Sequence, residues 1–253
     1  MKFLAKIFAV LIIGVLLLVV SFNIWGLATL GTITPDTSAS RDANANRVVM
    51  VFGATGSVGD GLLKAAMVDP QVKKIYALTR RMSPRLEAGQ ASGRVEVIMQ
   101  EDFTDYSDLG TELARVNTVM WGLGATSIGM DPELYRHIHE DFPVAFVTAW
   151  LAARTKSPMA FHYVTGMGTG EEESAQWAQD KGRAERRVAE LAQGTGLRTF
   201  RHRSAWIRPT DENSNWLIYL SEPLFKPGYL VIRSIDLGAA MLEISARTQE
   251  LTN

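Results

Sequence analysis

Three regularly spaced glycines constrain this chain more than any other feature. Gly53, Gly56 and Gly59 directly follow the apolar run Val48–Phe52 and lead into an amphipathic stretch, Gly61–Val68. A short, uncharged apolar run suits a strand buried on both faces of a parallel sheet. Between such a strand and a helix, each glycine has its own task. The first permits the tight turn, the second lets the backbone approach a pyrophosphate, and the third lets the helix pack close to the strand. The helix start then offers unpaired N–H groups and the positive end of its dipole to phosphate. Gly53, Thr55, Gly56, Ser57, Val58 and Gly59 are therefore expected to cradle a dinucleotide. The strand–turn–helix context gives the motif its weight.

The rest of the chain repeats this alternation. Lys74–Thr79, Val95–Met99, Thr118–Trp121, Ala160–Thr165 and Thr199–Arg203 read as further strands. Pro132–Ala153 and Glu171–Gln193 read as long helices, the second bounded by Gly194 and Gly196. Strands alternating with helices across short loops give an α/β fold. The expected architecture is a Rossmann-type, doubly wound parallel sheet. The residues after Arg203 are too few for a second domain and are expected to form a small cap.

The end of the second strand bears on the choice of cofactor. An NAD site usually places Asp or Glu about 20 residues past the glycine loop, for the ribose 2′-hydroxyl. Here Arg80 and Arg81 stand at that place, Arg80 lying 21 positions after Gly59. Two guanidinium groups suit the 2′-phosphate of NADP through charge-assisted contacts. NADP is accordingly favoured over NAD, with a solvated pair of loop arginines as the plainer alternative.

The first 31 residues differ in kind. Lys2 and Lys6 precede an uncharged run from Ile7 to Gly31. About 20 apolar residues suffice for a helix to cross a bilayer core. The run exceeds the roughly 7–15 residues of a signal-peptide core, and Phe22, Ile24 and Trp25 prolong it. A single-pass anchor over 1–31 is thus expected, with a cleaved signal peptide as its main competitor. Residues 32–46, rich in Thr, Ser, Asp, Asn and Ala, read as a linker, and 47–253 as the Rossmann domain. The amino-terminal lysines favour a cytoplasmic N-terminus, which would put the domain outside the cytoplasm. Nicotinamide cofactors are most plentiful inside, so the two inferences oppose each other.

Composition excludes some chemistry. The chain has no cysteine, hence no thiolate nucleophile, disulfide or cysteine-ligated metal. Its net charge of −1 lacks the basic excess of a nucleic-acid binder. His137 and His139, two apart, point away from each other on a helix, so no metal site is expected. Glu171, Glu172 and Glu173 suit a helix N-terminus. Arg183, Arg186 and Arg187, with Glu185 and Glu190, read as a solvated helix face. Trp216 to Leu224 is aromatic and aliphatic. Both a cap over the cofactor and a contact with the membrane surface are open to it.

Taken in order, these features resemble a family. The glycine loop, Arg80-Arg81, Glu101-Asp102-Phe103-Thr104-Asp105 after the third strand, and Lys181-Gly182 in a long helix are similar to the atypical short-chain dehydrogenases/reductases. The resemblance is closest to small NAD(P)H-binding members, including Tat-interacting-type proteins and bacterial epimerase-like oxidoreductases. It covers roughly residues 47–245. It implies that Asp102 and Phe103 lie against the adenine and that Gly122, Leu123 and Gly124 run beside the ribose. It also implies that Lys181 binds the nicotinamide ribose and, in active members, lowers the pKa of a tyrosine four residues earlier.

Three departures fall at the chemical end. The residue four before Lys181 is Trp177, whose indole N–H is a donor only. The helper serine falls near Thr165, which keeps a hydroxyl. The family's Arg-Pro-Gly appears as Arg201-His202-Arg203, which puts His202 near the nicotinamide. Trp177 would then close that side of the pocket by stacking. Tyr163 shares a strand face with Thr165 and is a candidate phenol, with a core aromatic as the plainer reading. Two functions follow. One is an NADP-dependent oxidoreductase of a small carbonyl or alcohol, with Lys181, Thr165 and Tyr163 as candidate catalytic residues. The other is a non-catalytic dinucleotide-binding sensor, scaffold or assembly factor.

Overall fold

The computed structural model describes residues 2–29, 38–225 and 230–248. Helix α1 spans Lys2–Thr29. Within it, Lys6–Gly26 is long and apolar enough to cross a membrane, and its apolar window is not buried against the rest of the chain. Alternation then begins: β1 Val48–Phe52, α2 Gly59–Val68, β2 Lys74–Thr79, α3 Pro84–Ala91, β3 Val95–Met99, the short α4 Gly110–Leu113 and β4 Thr118–Trp121. Next come α5 Pro132–Arg136, a π-turn at His137–Asp141, α6 Phe142–Ala153, β5 Met159–Val164, α7 Gln176–Ala192 and β6 Leu197–His202. The chain continues with β7 Trp206–Arg208, α8 Trp216–Phe225, β8 Val231–Arg233 and α9 Ser234–Ala246.

Six strands form one parallel sheet in the order β3-β2-β1-β4-β5-β6. The order reverses between β1 and β4, which register Val49 against Thr118 and Phe52 against Trp121. Open sheets of this kind bind ligands in the crevice outside the carboxyl ends of the strands at that reversal. The strands can be nearly uninterrupted apolar runs because helices cover both faces. On one face Phe52 stacks on Trp121 at 4.2 Å and meets Phe146 of α6 edge-on at 4.7 Å. On the other, Val49, Val51 and Met120 pack with Leu62 and Leu63 of α2 and Leu237 and Met241 of α9. Helix α9 therefore belongs to the sheet's own helical layer. Of the segment expected to form a cap, the two-stranded β7–β8 ribbon and α8 make up the smaller unit.

Several boundaries move for physical reasons. Helix α2 starts at Gly59, two residues earlier than its apolar pattern, because the loop runs into it without a break. The long helix expected over 132–153 contains a π-turn, and Pro143 is its cause. Pro143 has no N–H to give to the carbonyl of His139, its i−4 partner in a regular helix. That carbonyl instead accepts the Tyr163 hydroxyl at 2.6 Å. Helix α7 starts at Gln176, so Glu171–Glu173 lie in the turn before it rather than in its first turn. Backbone from Gly170 and Glu171 rests on Gly182, where a Cβ would come within 2.7 Å of the Glu171 nitrogen. Strand β6 starts at Leu197 because it pairs with β5 from Met159 onward.

Part of the segment read as a linker is docked. The Asp42 N–H donates to the Ala246 carbonyl at 2.7 Å, and Thr248 N–H to the Ser40 carbonyl at 3.1 Å. The Asn46 side chain donates to the Leu242 carbonyl at 2.7 Å, and Thr118 donates to the Ala45 carbonyl at 2.9 Å. Ala45 and Asn46 are buried. Residues 32–37 of that segment lie outside the described residues.

Candidate functional site

The crevice at the carboxyl ends of β1 and β4 holds two adjoining chambers. The larger, about 480 Å³, is lined by Gly53, Thr55, Thr79, Arg80, Arg81 and Phe103, among others. The smaller, about 270 Å³, is lined by Ser57, Val58, His139, Thr165, Lys181 and Ile207, among others. Gly56, Gly122, Leu123 and Gly124 line both. One continuous slot thus crosses the start of α2, with arginines at one end and a lysine at the other.

The glycines make that slot possible. Gly53 has φ +73°, and a Cβ on it would lie 2.7 Å from the Gly122 carbonyl oxygen. A Cβ on Gly59 would collide with the carbonyl oxygen of Gly53. The turn is therefore closed so tightly onto β4 and α2 that side chains are excluded, and backbone forms the floor. A cradle of bare backbone at a helix N-terminus fits a pyrophosphate.

At the larger end, the Arg81 guanidinium donates to the hydroxyl of Thr55 at 3.3 Å and to its carbonyl at 3.4 Å, which fastens the β2 end to the loop. Phe103 lies against Phe52 and Phe142, with centroids 6.2 and 5.6 Å away, so its ring is a fixed wall. Asp102 is not among the lining residues. Its carboxylate accepts from the backbone N–H and hydroxyl of Thr104, at 2.8 and 2.6 Å, and these bonds hold its pKa below the ordinary value.

At the smaller end, burial pushes the Lys181 ammonium down to about 8, with Glu185 opposing the shift. Its nitrogen lies 3.4 Å from the Thr165 carbonyl, to which it donates. The Thr165 hydroxyl donates to Glu185 at 2.8 Å. Glu185 is buried and also takes the Arg203 guanidinium. It is therefore no part of a solvated face. Arg183 and Arg187 likewise turn inward, to the buried Glu140, at 3.0 Å each.

Three expected residues sit elsewhere. The Tyr163 phenol is buried in the aromatic core and bonded to His139, so it does not reach the slot. Burial, the first cause, raises its pKa well above the usual tyrosine range. His202 turns to the α9 side of the sheet, where its Nε2 lies 2.9 Å from Nδ1 of His162. His162 in turn meets the Ser245 hydroxyl at 2.6 Å. Neither histidine lines the slot. Trp177 does not line it either: its ring lies beside the Gly166–Gly168 turn, 3.8 Å from where a Gly166 Cβ would stand.

His139 is the lining residue whose role was not legible. Its Nε2 lies 3.0 Å from the Ala125 N–H and 3.1 Å from the Ala125 carbonyl. Burial, reinforced by Lys181, lowers it to about 4, so it is uncharged. The signal was Pro143, which creates the π-turn that aims His139 inward. Among the described residues no group of three or more His, Asp or Glu could hold a metal.

No protein-family profile matches the chain. It is 27% identical over 175 residues to leucinostatins biosynthesis cluster protein T of Purpureocillium lilacinum, covering 69% of this chain and 63% of that protein. The chain thus spans less than two thirds of that curated relative. The structure superposes on a short-chain dehydrogenase/reductase family oxidoreductase from Burkholderia thailandensis with TM-score 0.59 and 19% identity, covering 79% and 86% of the two chains. The fold is that of the short-chain dehydrogenases/reductases. The PhqB reductase domain of Penicillium fellutanum shares it with TM-score 0.59 and 14% identity over 83% of this chain and 66% of that one. So does 3-oxoacyl-[acyl-carrier protein] reductase of Brucella melitensis in complex with NAD, with TM-score 0.56 and 16% identity over 79% and 90%. These likenesses are of fold, and none of them is to a Tat-interacting-type protein.

Proposed function

We propose that this chain is a membrane-anchored, NADP-binding protein of oxidoreductase type. The observation that carries the reading is the continuous slot over bare backbone, with Arg80 and Arg81 at one end and Lys181 at the other. The glycine loop would hold the pyrophosphate, and the two arginines the 2′-phosphate. Phe103 would wall the adenine end, and Gly122–Gly124 would run beside the ribose. Asp102 contributes by shaping the turn through Thr104 rather than by touching the ligand.

The bound dinucleotide would supply hydride chemistry with a small carbonyl or alcohol. This chain's own contribution at that end is Lys181, a buried ammonium that could orient a ribose or yield a proton. Thr165 is tied to Glu185, and Tyr163 is withdrawn into the core. These two commitments favour a second reading: a dinucleotide-binding sensor, scaffold or assembly factor without turnover. Anchoring rests on the length and composition of α1.

Binding is tested by thermal unfolding of the full chain in nanodiscs. Anything that binds only the folded state stabilises it, by about 2.7 kcal/mol at a hundredfold excess over Kd. NADPH should raise the midpoint more than NADH at equal concentration. No shift with either at millimolar levels overturns the proposal. A panel of aldehydes and ketones with NADPH then separates the two readings, since turnover excludes the second.

A further inference from the structure

Helix α8 is inside out. Its inward side carries Ile218, Ser221, Glu222 and Phe225, spaced as one helical face. Phe225 packs on Trp206 of β7 with centroids 4.4 Å apart, and Glu222 accepts from Arg208 at 3.3 Å. Its outward side carries Trp216, Leu217, Tyr219 and Leu220, which are 70, 54, 44 and 66% exposed. A helix on a water-facing surface has the opposite arrangement, apolar side inward. Here a hydroxyl and a carboxylate sit on the inner face while an indole and two leucines face out.

The position of this face says what covers it. Helix α8 packs on β7, one strand of the β7–β8 ribbon. The same ribbon, through Leu230, Val231 and Ile232, lines a pocket with Met167 and with Trp25 near the end of α1. The membrane-spanning candidate and the inverted helix therefore abut one structural unit. Met167 is itself 54% exposed.

We infer that α8 lies in the headgroup–acyl boundary of the bilayer that α1 crosses, with Trp216, Leu217 and Leu220 directed into lipid. This rests on the anchoring reading above. Interfacial helices bury such a face about 5–10 Å deep, and Trp and Tyr concentrate at that level. The Tyr219 hydroxyl donates to Asp211 at 3.0 Å, which keeps its polar tip at the water-facing rim. A second copy of the chain is the poorer occupant. One outward face of a 10-residue helix falls short of the roughly 800 Å² per partner that a stable interface buries. Because Ile207 of β7 lines the Lys181 chamber, seating α8 in lipid brings that chamber close to the membrane surface.

The absence of cysteine makes the test clean. Single spin labels are placed by Leu220→Cys on α8, Leu16→Cys in α1 and Val68→Cys on α2, in the full chain in phosphatidylcholine/phosphatidylglycerol nanodiscs. All three residues are exposed, and Leu217→Cys repeats the α8 measurement with a second label. Collision with oxygen and with a water-soluble nickel chelate is then compared. The expected result is several-fold more oxygen than nickel contact at 220 and 217, as at 16, and the reverse at 68. Nickel contact at 220 and 217 equal to that at 68 overturns the inference, as does shielding from both reagents, the mark of a protein partner. Lipid contact at 220 together with nickel contact at 16 upholds α8 seating and removes the anchor instead.

Discussion

The Tyr163 hydroxyl donates to the carbonyl of His139 at 2.6 Å, a carbonyl that is available because Pro143 cannot donate to it. One missing N–H therefore decides two things: the phenol is held in the core, and His139 is swung into the slot. Tyr163→Phe should leave the His139 carbonyl buried and unsatisfied, at a cost of about 1–3 kcal/mol. Chemical denaturation should read that loss, while the melting shift given by NADPH should be unchanged. A loss of NADPH response without loss of stability would return Tyr163 to the site.

Gly56 separates binding from folding. A Cβ there would lie 3.2 Å from the Gly53 carbonyl oxygen, a contact the loop can absorb by small shifts. The same Cβ would stand in both chambers, on the floor of the slot. Gly56→Ala should keep the unfolding midpoint within a few degrees and abolish the dinucleotide-induced shift. Retention of the full shift would place the phosphates elsewhere.

On the proposed reading, the arginine end should set coenzyme choice. Hydrogen bonds to a charged group are worth about 1.5–3 kcal/mol. Arg80→Glu should therefore weaken NADPH roughly tenfold or more and improve NADH, measured by titration calorimetry. Parallel changes in the two affinities would remove Arg80 from the 2′-phosphate.

Lys181 should make binding pH-dependent. Burial holds its ammonium at about 8, so the charge is present below that pH and is lost as pH rises through it. NADPH affinity should fall between about pH 7 and 9 and lie flat over the same range in Lys181→Met. An unchanged slope in the variant would assign the titration to another group.

The paired histidines should weaken the fold in acid. Ser245 donates to the Met241 carbonyl, so its oxygen accepts from His162 Nε2, and His162 Nδ1 accepts from His202. Both rings are thus neutral. Burial is the first cause that lowers them, His202 to about 4. The unfolded chain takes up these protons near the ordinary value of about 6.5, whereas in the folded chain His202 resists until about 4 and His162 is likewise held well below its ordinary value. Stability should fall as pH drops through that window and be insensitive to these groups above pH 7. Thermal midpoints of the wild type and His202→Gln should diverge least at the acid end, because the variant lacks one of the two resisting rings.

The first four strands were legible because each is a largely apolar run ended by polar or turn residues, whereas β6, with Arg198 and Arg201 in it, starts two residues before its expected place. Val48–Phe52, Lys74–Thr79, Val95–Met99 and Thr118–Trp121 are placed to the residue. Periodicity carries no comparable information on side chains committed by tertiary contacts. Glu185 and Arg183 look like surface charges in sequence, yet one is buried against Thr165 and the other turns to Glu140. Tyr163 alternates correctly with Thr165, yet its hydroxyl goes to a carbonyl 24 residues earlier in the chain. Helix α9 was absorbed into a presumed cap because its residues show no motif. Its partner, the close-packed face of α2 at Gly61 and Ala65, appears only once the chain is folded.

The docking of residues 40–46 on α9 has a mechanical consequence. Ser40 and Thr248 are hydrogen-bonded neighbours, and Arg41 grips Glu243 of α9 at 2.7 Å. A load arriving along the chain from α1 would therefore spread into the C-terminal helix before it reached β1, the strand that carries the glycine loop. The central strand is insulated from the N-terminal helix, in the way a strain relief protects a cable at its socket.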